Sequence, residues 1–444
     1  MRICITGCLL ALMALPLLAR QRDVDIFVRN PTETRLAVGE FVPRDEAEEE
    51  TLSALKVFNQ VLWNDLEFSA FFQMPSKSFY PLKSIRLPLD LEFESWQTPA
   101  LDVDFLAFGN LQVYEAAVVV EGYLYDLKTR QQVIGKRYTI GTSDLVRRVA
   151  HQFSDEIVYK LSAGASRGVA QTRIAFSSRR GDSTEVYVTD YDGSGIRTIT
   201  ANGGLNKFPA WSPDNTKLAF VTKLPKRHRW ELWIQDLAGG RVVVSAPSSY
   251  VSSPALFGSQ LVYASRAASA LDSDIFLSAL DGSGRRNLSN HQGIDTSPTF
   301  SPTGQQIAFV SDRSGTPQLW VMDSDGSNVR RLVFEGGHCD SPAWSPDGRF
   351  ILYSWQAPGQ WTHDVYVAEV ATGRIYQLTS GRGSNENPAW SPDGRHVVFQ
   401  SDRTGTKQIF IMNADGKNLK QITAYGSNDS PAWSFNPTPE INSN

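Results

Sequence analysis

The stretch PAWSPDGR at Pro342–Arg349, running straight into FILYSW at Phe350–Trp355, decides how the chain is read. The same phrase returns as PAWSPD at Pro209, PALFGS at Pro254, PTFSPT at Pro298, PAWSPD at Pro388 and PAWSFN at Pro431. Successive prolines lie 45, 44, 44, 46 and 43 residues apart. A period this regular marks a stacked or circular architecture in which each unit buries its face against its neighbours.

Each unit holds four short segments rich in aromatic and β-branched residues, separated by Gly, Asp and Asn turns, and these read as four antiparallel strands. The second strand recurs as RIAFSS at Arg173, LAFVT at Leu218, LVYAS at Leu261, IAFVSD at Ile307, ILYSW at Ile351 and VVFQSD at Val397. The third centres on an aromatic in all six copies: Tyr187, Trp233, Phe276, Trp320, Tyr366 and Phe410. Turn strings such as DYDGSG at Asp190 and DSDGSN at Asp323 follow it, where Gly supplies the positive φ of a tight hairpin.

Four strands per unit is the blade of a β-propeller, and six copies predict six blades. The second-strand copy at Arg173 has no PAWS strand before it, and the PAWS strand at Pro431 has no blade after it. Pro431–Ser434 is therefore expected to complete the first blade and close the ring, which removes the open edges. A solenoid, the other repeat architecture, needs no such device. Trp211, Leu256, Phe300, Trp344, Trp390 and Trp433 hold one position of the phrase and are read as packing between sheets. Asp214, Asp347 and Asp393 are read as turn formers. The copy at Pro254 lacks both Trp and an Asp-Gly turn, a departure that bears on the binding face.

The remainder of the 444 residues frames this ring. Residues 1–19 read as a secretory signal: Arg2, an apolar run Ile3–Leu18 shorter than the about 20 residues of a membrane span, then Ala19. ITGC at Cys8 is no lipoprotein box, because the apolar run follows that cysteine. Removal of the signal leaves Cys339 alone, so no internal disulfide is expected. Residues 20–165 read as a small α/β domain, 166–435 as the propeller and 436–444 as a tail. In the first, Asp23–Val28 and Arg35–Phe41 are extended. A helix over Asp45–Phe68 carries Leu52, Leu55, Phe58, Leu62 and Leu66 at helical spacing, with Asp45–Glu50 complementing its dipole. Strands follow near Phe105–Gly109, Ala116–Asp126 and Gln132–Ile140, then a second helix, Asp144–Leu161; Pro75–Pro99 reads as loop.

Catalysis finds little support. GASRG at Gly164–Gly168 fits G-x-S-x-G, but a nucleophile elbow needs a strand before the serine and a helix after it, and here the order is reversed. Cys339 adjoins His338, yet neighbours in an extended segment point to opposite sides. The six histidines lack paired metal spacing, and the Asp-rich turns lack the terminal Glu of a calcium loop. No catalytic residue, cofactor or metal is expected. A net charge of −4 gives no field for nucleic acid. The alternative is a secreted propeller lyase or glycosidase with a site in the central channel.

The ordered combination of a signal, an α/β domain with the late helix LVRRVAHQFSDEIVYKLSAG, the hinge-like VAQTRIAFSS, repeats of SPAWSPDGR type and a final PAWS resembles the TolB family of the Tol–Pal system. The resemblance covers nearly all of the chain after residue 19. It implies a non-enzymatic, monomeric periplasmic scaffold, not inserted in a membrane, that supports outer-membrane integrity and envelope constriction at division. Such a scaffold binds the lipoprotein Pal through the propeller and the inner-membrane protein TolA through an N-terminal strand. Asp23, Val24, Asp25, Ile26, Phe27 and Val28, within residues 20–33, occupy the place of that strand, and their alternation suits edge-strand addition. Loops joining second to third strands share a rim with those joining one unit to the next. Arg179, Arg180, Lys223, Lys226, Arg227, His228, Arg229, Arg313 and Arg403 fall there, a local basic rim expected to steer an acidic partner surface; the bland reading is a solvated loop edge.

Overall fold

Residues 34–244, 250–266 and 272–436 are described by the structure, a computed structural model; the segment Asp23–Val28, the signal 1–19 and most of the tail 436–444 lie outside them. Two regions follow one another: an N-terminal α/β region and a β-propeller.

In the α/β region, β1 (Leu36–Val38) and β2 (Val42–Pro43) pair parallel with β3 (Phe105–Tyr114), and β4 (Ala117–Asp126) and β5 (Gln131–Ile140) continue as an antiparallel meander. Helices α1 (Glu49–Phe68) and α3 (Val146–Leu161) cover one face through Leu55, Phe58, Leu62 and Leu66, and Phe153 and Ile157. The Phe153 ring lies so close over Gly122 that a Cβ there would come within 2.8 Å of it.

Three expectations need correcting here. Leu52 is 54 % exposed, because the buried face of α1 runs through Thr51, Ala54, Leu55 and Phe58 and leaves it on the flank. Of the acidic cluster, Glu49 and Glu50 alone sit in the first helical turn, while Asp45 precedes the helix and accepts from the Tyr114 hydroxyl at 3.2 Å. The segment 75–99 is more than loop: it makes helical turns at Lys77–Phe79 and Pro88–Asp90 and the single-turn α2 (Phe93–Trp96). It covers the other face of the sheet with Ile85, Leu91 and Trp96. Ile85 and Leu91 lie outside the helical turns and only Trp96 belongs to one, so no periodicity announces it.

From Arg173 the chain is organised in four-stranded antiparallel sets. Sheet 2 holds Leu205–Trp211, Lys217–Lys223, Glu231–Asp236 and Arg241–Val244; sheets 3, 4, 5 and 6 begin at Tyr250, Asp295, His338 and Asn385. Sheet 1 combines Arg173–Arg180, Ser183–Asp190 and Arg197–Thr198 with the last strand, Ser427–Trp433. That strand pairs antiparallel with Arg173–Arg180, Trp433 opposite Ile174 and Ser427 opposite Arg179. One parallel bridge, Thr184 to Leu205, joins sheets 1 and 2.

The recurring phrase has a recurring geometry. The large residue after Pro-Ala is buried in each copy, from Trp211 at 4 % to Trp344 at 9 % exposed. The residue before each proline is left-handed: Phe208, Ser253, Ser297, Ser341, Asn387 and Ser430 have φ between 48° and 55°. The first-to-second strand register slips at each of these points. Proline cannot donate to the ladder, and a bulge takes its nitrogen out of it. The aspartates close turns as read: Ser345 Oγ donates to Asp347 at 2.6 Å and Ser391 Oγ to Asp393 at 2.6 Å.

Neighbouring sheets are joined by a repeated polar clasp. The residue two positions before the central aromatic of a third strand takes the asparagine three positions before the next proline: Asn206 Nδ2 donates to Glu185 at 2.9 Å, Asn385 to Asp364 at 2.9 Å, and Asn428 to Gln408 at 2.7 Å. The last of these joins sheet 6 to the C-terminal strand. Turn glycines make a second repeated contact. A Cβ on Gly326 would meet the Leu288 carbonyl at 2.6 Å, one on Gly416 that of Leu378 at 2.7 Å, and one on Gly193 that of Ile422 at 2.5 Å.

Candidate partner-binding surface

An antiparallel meander places its second-to-third loops and its sheet-to-sheet connections at one end of the propeller. The basic residues singled out from the sequence stand at that end, but their charges are not equally available. Arg313 Nη2 lies 2.9 Å from Asp295, which is fully buried; its Nε donates to Ser311 Oγ at 2.8 Å, and its plane covers Phe309 and Trp320. Arg403 repeats this on Asn385 at 2.6 Å and Ser401 at 3.0 Å, over Phe399 and Phe410. Arg180, at the same position of its repeat, lies over Tyr187 at 4.0 Å and Tyr425 at 5.1 Å. These three arginines staple their own strands.

Arg227 and Arg229 converge on one oxygen of Glu231, at 2.5 and 3.2 Å, and Trp233 Nε1 donates to the other at 3.0 Å. Burial pushes this carboxyl up, but the bonds from Arg227 and Trp233 overcome it and hold Glu231 below the usual carboxylate range. Lys223 is half-buried, whereas Arg179, Lys226 and His228 are exposed and make no ion pair among the described residues. Arg382, in the connection from sheet 5 to sheet 6, is equally exposed, and no sequence signal had singled it out.

The same rim carries apolar side chains that sequence reasoning missed. Trp361 is 94 % exposed on the second-to-third loop of sheet 5, Phe334 72 % and Tyr425 71 % on sheet connections. Gln356 Nε2 donates to the Gln360 carbonyl at 3.0 Å, which fixes the Trp361 loop, and a hollow of about 270 Å³ lies beside it, edged by His338, Pro358 and Trp361. An aromatic outside the repeated phrase in a loop of otherwise polar residues was the available signal.

Inward of the rim, the left-handed bulges link adjacent sheets. Ser297 Oγ donates to Asp340 at 2.9 Å, Ser341 Oγ donates to Asn387, and Ser430 N donates to Gln400 at 2.8 Å. Lys207 pairs with Asp429 across sheets 2 and 1, and Lys407 with Glu386 at 2.9 Å. These groups satisfy one another.

The residues that resembled catalytic motifs are otherwise engaged. Ser166 Oγ accepts from Gly168 N at 3.0 Å in the linker between the regions. Cys339 is buried, and burial pushes its thiol up to about 12. A thiol held that high has almost no thiolate at neutral pH. Cys339 in the native protein is therefore expected to resist a disulfide reagent at pH 8 and to react fully once denatured; stoichiometric labelling of the native form would contradict this.

At the opposite end the α/β region docks on the first-to-second and third-to-fourth turns. Asp65 of α1 accepts from the Tyr191 hydroxyl at 2.6 Å and faces His151 Nδ1 at 2.7 Å. Arg147 pairs with Asp192 and donates to Ser194 Oγ at 2.9 Å. Asp155 of α3 accepts from Ala170 N at 2.9 Å and Gln171 N at 3.0 Å, anchoring the linker.

Comparison with known proteins bears on this arrangement. The family profile described as "TolB beta propeller domain" matches residues 160–362 and 335–439. The chain is 33 % identical over 339 residues to the protein TolB homolog of Chlorobium luteolum, 76 % of each chain. It is 32 % identical over 239 residues to the Tol-Pal system protein TolB of Bordetella pertussis, so the match spans 53 % of that relative's length. The crystal structure of TolB from Acinetobacter baumannii superposes with a TM-score of 0.76 at 23 % identity, covering 92 % of this chain and 98 % of that one. At that identity the likeness speaks for the fold.

Proposed function

Because this chain belongs to the TolB family, we propose that it is a non-enzymatic periplasmic scaffold of the Tol–Pal system. It binds a Pal-like lipoprotein through the propeller rim and a TolA-like inner-membrane protein through residues 20–33, Asp23–Val28 above all. In that role it supports outer-membrane integrity and constriction at division. The observation that carries this reading is the 339-residue alignment, which is longer than the propeller segment and so reaches beyond it.

In this reading the propeller has six blades, and Ser427–Trp433 closes the ring as the innermost strand of the first. The support is that the junction of sheet 6 with the C-terminal strand uses the Gln408–Asn428 clasp and the Gly193–Ile422 approach, the same devices found at continuous junctions. A closed ring presents its rim loops at fixed spacing, which suits a rigid docking face.

Capture from envelope extract tests the partners. Protein starting at residue 20 is expected to retain both an inner-membrane partner and the lipoprotein; protein starting at residue 34 is expected to keep the lipoprotein alone. Capture of neither by the longer form would sink the reading. On the rim, Trp361→Ala is expected to weaken lipoprotein binding about 30-fold, since an exposed aromatic anchor is commonly worth about 2 kcal/mol. Its melting temperature should be unchanged, as the ring contacts little of the fold. Arg179→Glu with Arg382→Glu should slow association and flatten its salt dependence; an unaltered on-rate at low salt would remove the steering role. Arg227 and Arg229 are poorer probes, because reversing them would also disturb Glu231 and Trp233.

A further inference from the structure

Helix α1 ends over the boundary between sheets 6 and 1, where the two ends of the repeat meet. Its last turn and the residues after it touch both sides. On the sheet 1 side, Tyr191 donates to Asp65 at 2.6 Å and its ring lies 5.3 Å from that of Phe68. On the sheet 6 side, the Phe68 ring stacks on His396 at 4.1 Å and the Phe68 carbonyl lies 2.6 Å from His396 Nε2. Arg395 Nη2 donates to the Ala70 carbonyl at 2.5 Å and its guanidinium sits 3.8 Å over Phe71. His396 is in turn 6.3 Å from Trp433 of the last strand.

The apolar core between these sheets contains Ile174, Phe176 and Tyr191 from one side, Val398 and Ile411 from the other, and Trp433 between them; Phe68 packs against it. Among the described residues, the other inter-sheet cores of the propeller receive no side chain from the α/β region. Sheet 1, on one side of this boundary, also differs in connectivity. Residues 422–426 join sheet 6 to Ser427–Trp433 as short connections join the other sheets, but inside sheet 1 Ser427–Trp433 is held to Arg173–Arg180 by hydrogen bonds and packing without a direct chain connection. A chain-terminal strand seated in this way can open locally without moving the strands on either side of it in sequence, and its amides report that opening.

We propose that the α/β region is a strap across this seam, so that its docking through Phe68 and the seating of Ser427–Trp433 form one coupled equilibrium. Undocking the helix end removes the cover from the seam core and the partners of Tyr191, His396 and Arg395. Release of the strand removes Trp433 from beneath His396, and with it the platform on which Phe68 stacks. Coupling of this kind is reciprocal: whatever loosens one side loosens the other by the same factor.

Native-state hydrogen exchange on the full mature protein tests this. In Phe68→Ala, the amides of Ser427–Trp433 and Arg173–Arg180 are expected to exchange at least tenfold faster, while those of Asp295–Phe300 in sheet 4 keep their wild-type rates. Tyr191→Phe removes the bond to Asp65 and little else, and is expected to show the same pattern with about a threefold acceleration, which keeps the test open should Phe68→Ala fold poorly. Uniform acceleration of all first strands, or an unchanged seam beside a loosened α1, would overturn the proposal.

Discussion

Trp433→Ala is expected to lower stability by about 3–5 kcal/mol, the usual cost of truncating a fully packed tryptophan, and to lower the melting temperature by about 10 °C. Trp433 is 6 % exposed, packs with Ile174 and Phe176, and donates Nε1 to Thr172 Oγ1 at 2.8 Å. Its loss leaves that hydroxyl without the donor and opens a cavity beside the pairing of Ser427–Trp433 with Arg173–Arg180, which no direct chain connection backs. Stopping the chain after Gly426 should be worse. Arg173–Arg180 becomes an unpaired edge, the Trp211 indole loses its acceptor at the Ala432 carbonyl, and Gln408 loses Asn428. An exposed flat edge invites pairing with other chains, so the expected product is aggregated or oligomeric. A soluble monomer with wild-type melting would refute the closing role of this strand.

The second large effect concerns the contact between the two regions. Asp65→Ala leaves His151 and the Tyr191 hydroxyl buried without their shared acceptor, and removing one partner of a buried pair costs about 3–5 kcal/mol. The same group gives the contact a pH dependence. Burial pushes the His151 imidazole down, but its bond to Asp65 and that carboxylate's charge, aided by Asp192, overcome this and raise its pKa despite the opposing Arg147. A histidine whose folded pKa is raised contributes stability fully present below its unfolded value near 6.5 and lost as pH rises through the folded value. The raised pKa of Asp65, caused first by burial, acts in the same direction at lower pH: a proton is held more tightly in the folded protein. Wild-type melting is therefore expected to decline as pH rises above neutrality, and Asp65→Asn to flatten that decline. A melting temperature in the wild type that climbs over the same range would contradict the assignment.

Much of the fold was legible because the repeat reports packing directly. A tryptophan or its substitute every 43 to 46 residues, an aromatic centring each third strand and Asp-Gly turns are what four-stranded sheets need in order to stack, whatever the partner. The helices of the α/β region were legible from the spacing of Leu55, Phe58, Leu62 and Leu66. Leu52 and the segment 75–99 were not, since a helix shows which residues share a stripe but not where the covering sheet ends.

The rim was legible as a place but not as a surface. Loop position follows from strand order, so Arg179, Arg227, His228 and Arg403 could be assigned to one end from the chain alone. Whether each charge is free depends on which carboxylates, amides and rings the fold sets beside it. Arg313 meets Asp295 eighteen residues away, and Arg180 meets Tyr425 across the seam. Trp361 was passed over because exposure is a property of the packed loop and not of the residue type.

Local chemistry thus settled the repeating unit, its turns and its buried aromatics, because each depends on neighbours within one unit, and the incomplete first and last copies gave the expectation that the final strand returns to the first. The partnering of charges, the six left-handed residues before the prolines, and the seating of Phe68 over the joint between sheets 6 and 1 emerged only on folding. Those depend on which segments meet in space, from Arg313 and Asp295 eighteen residues apart to Phe68 and His396 in different regions of the chain, and the repeat spacing does not state those meetings.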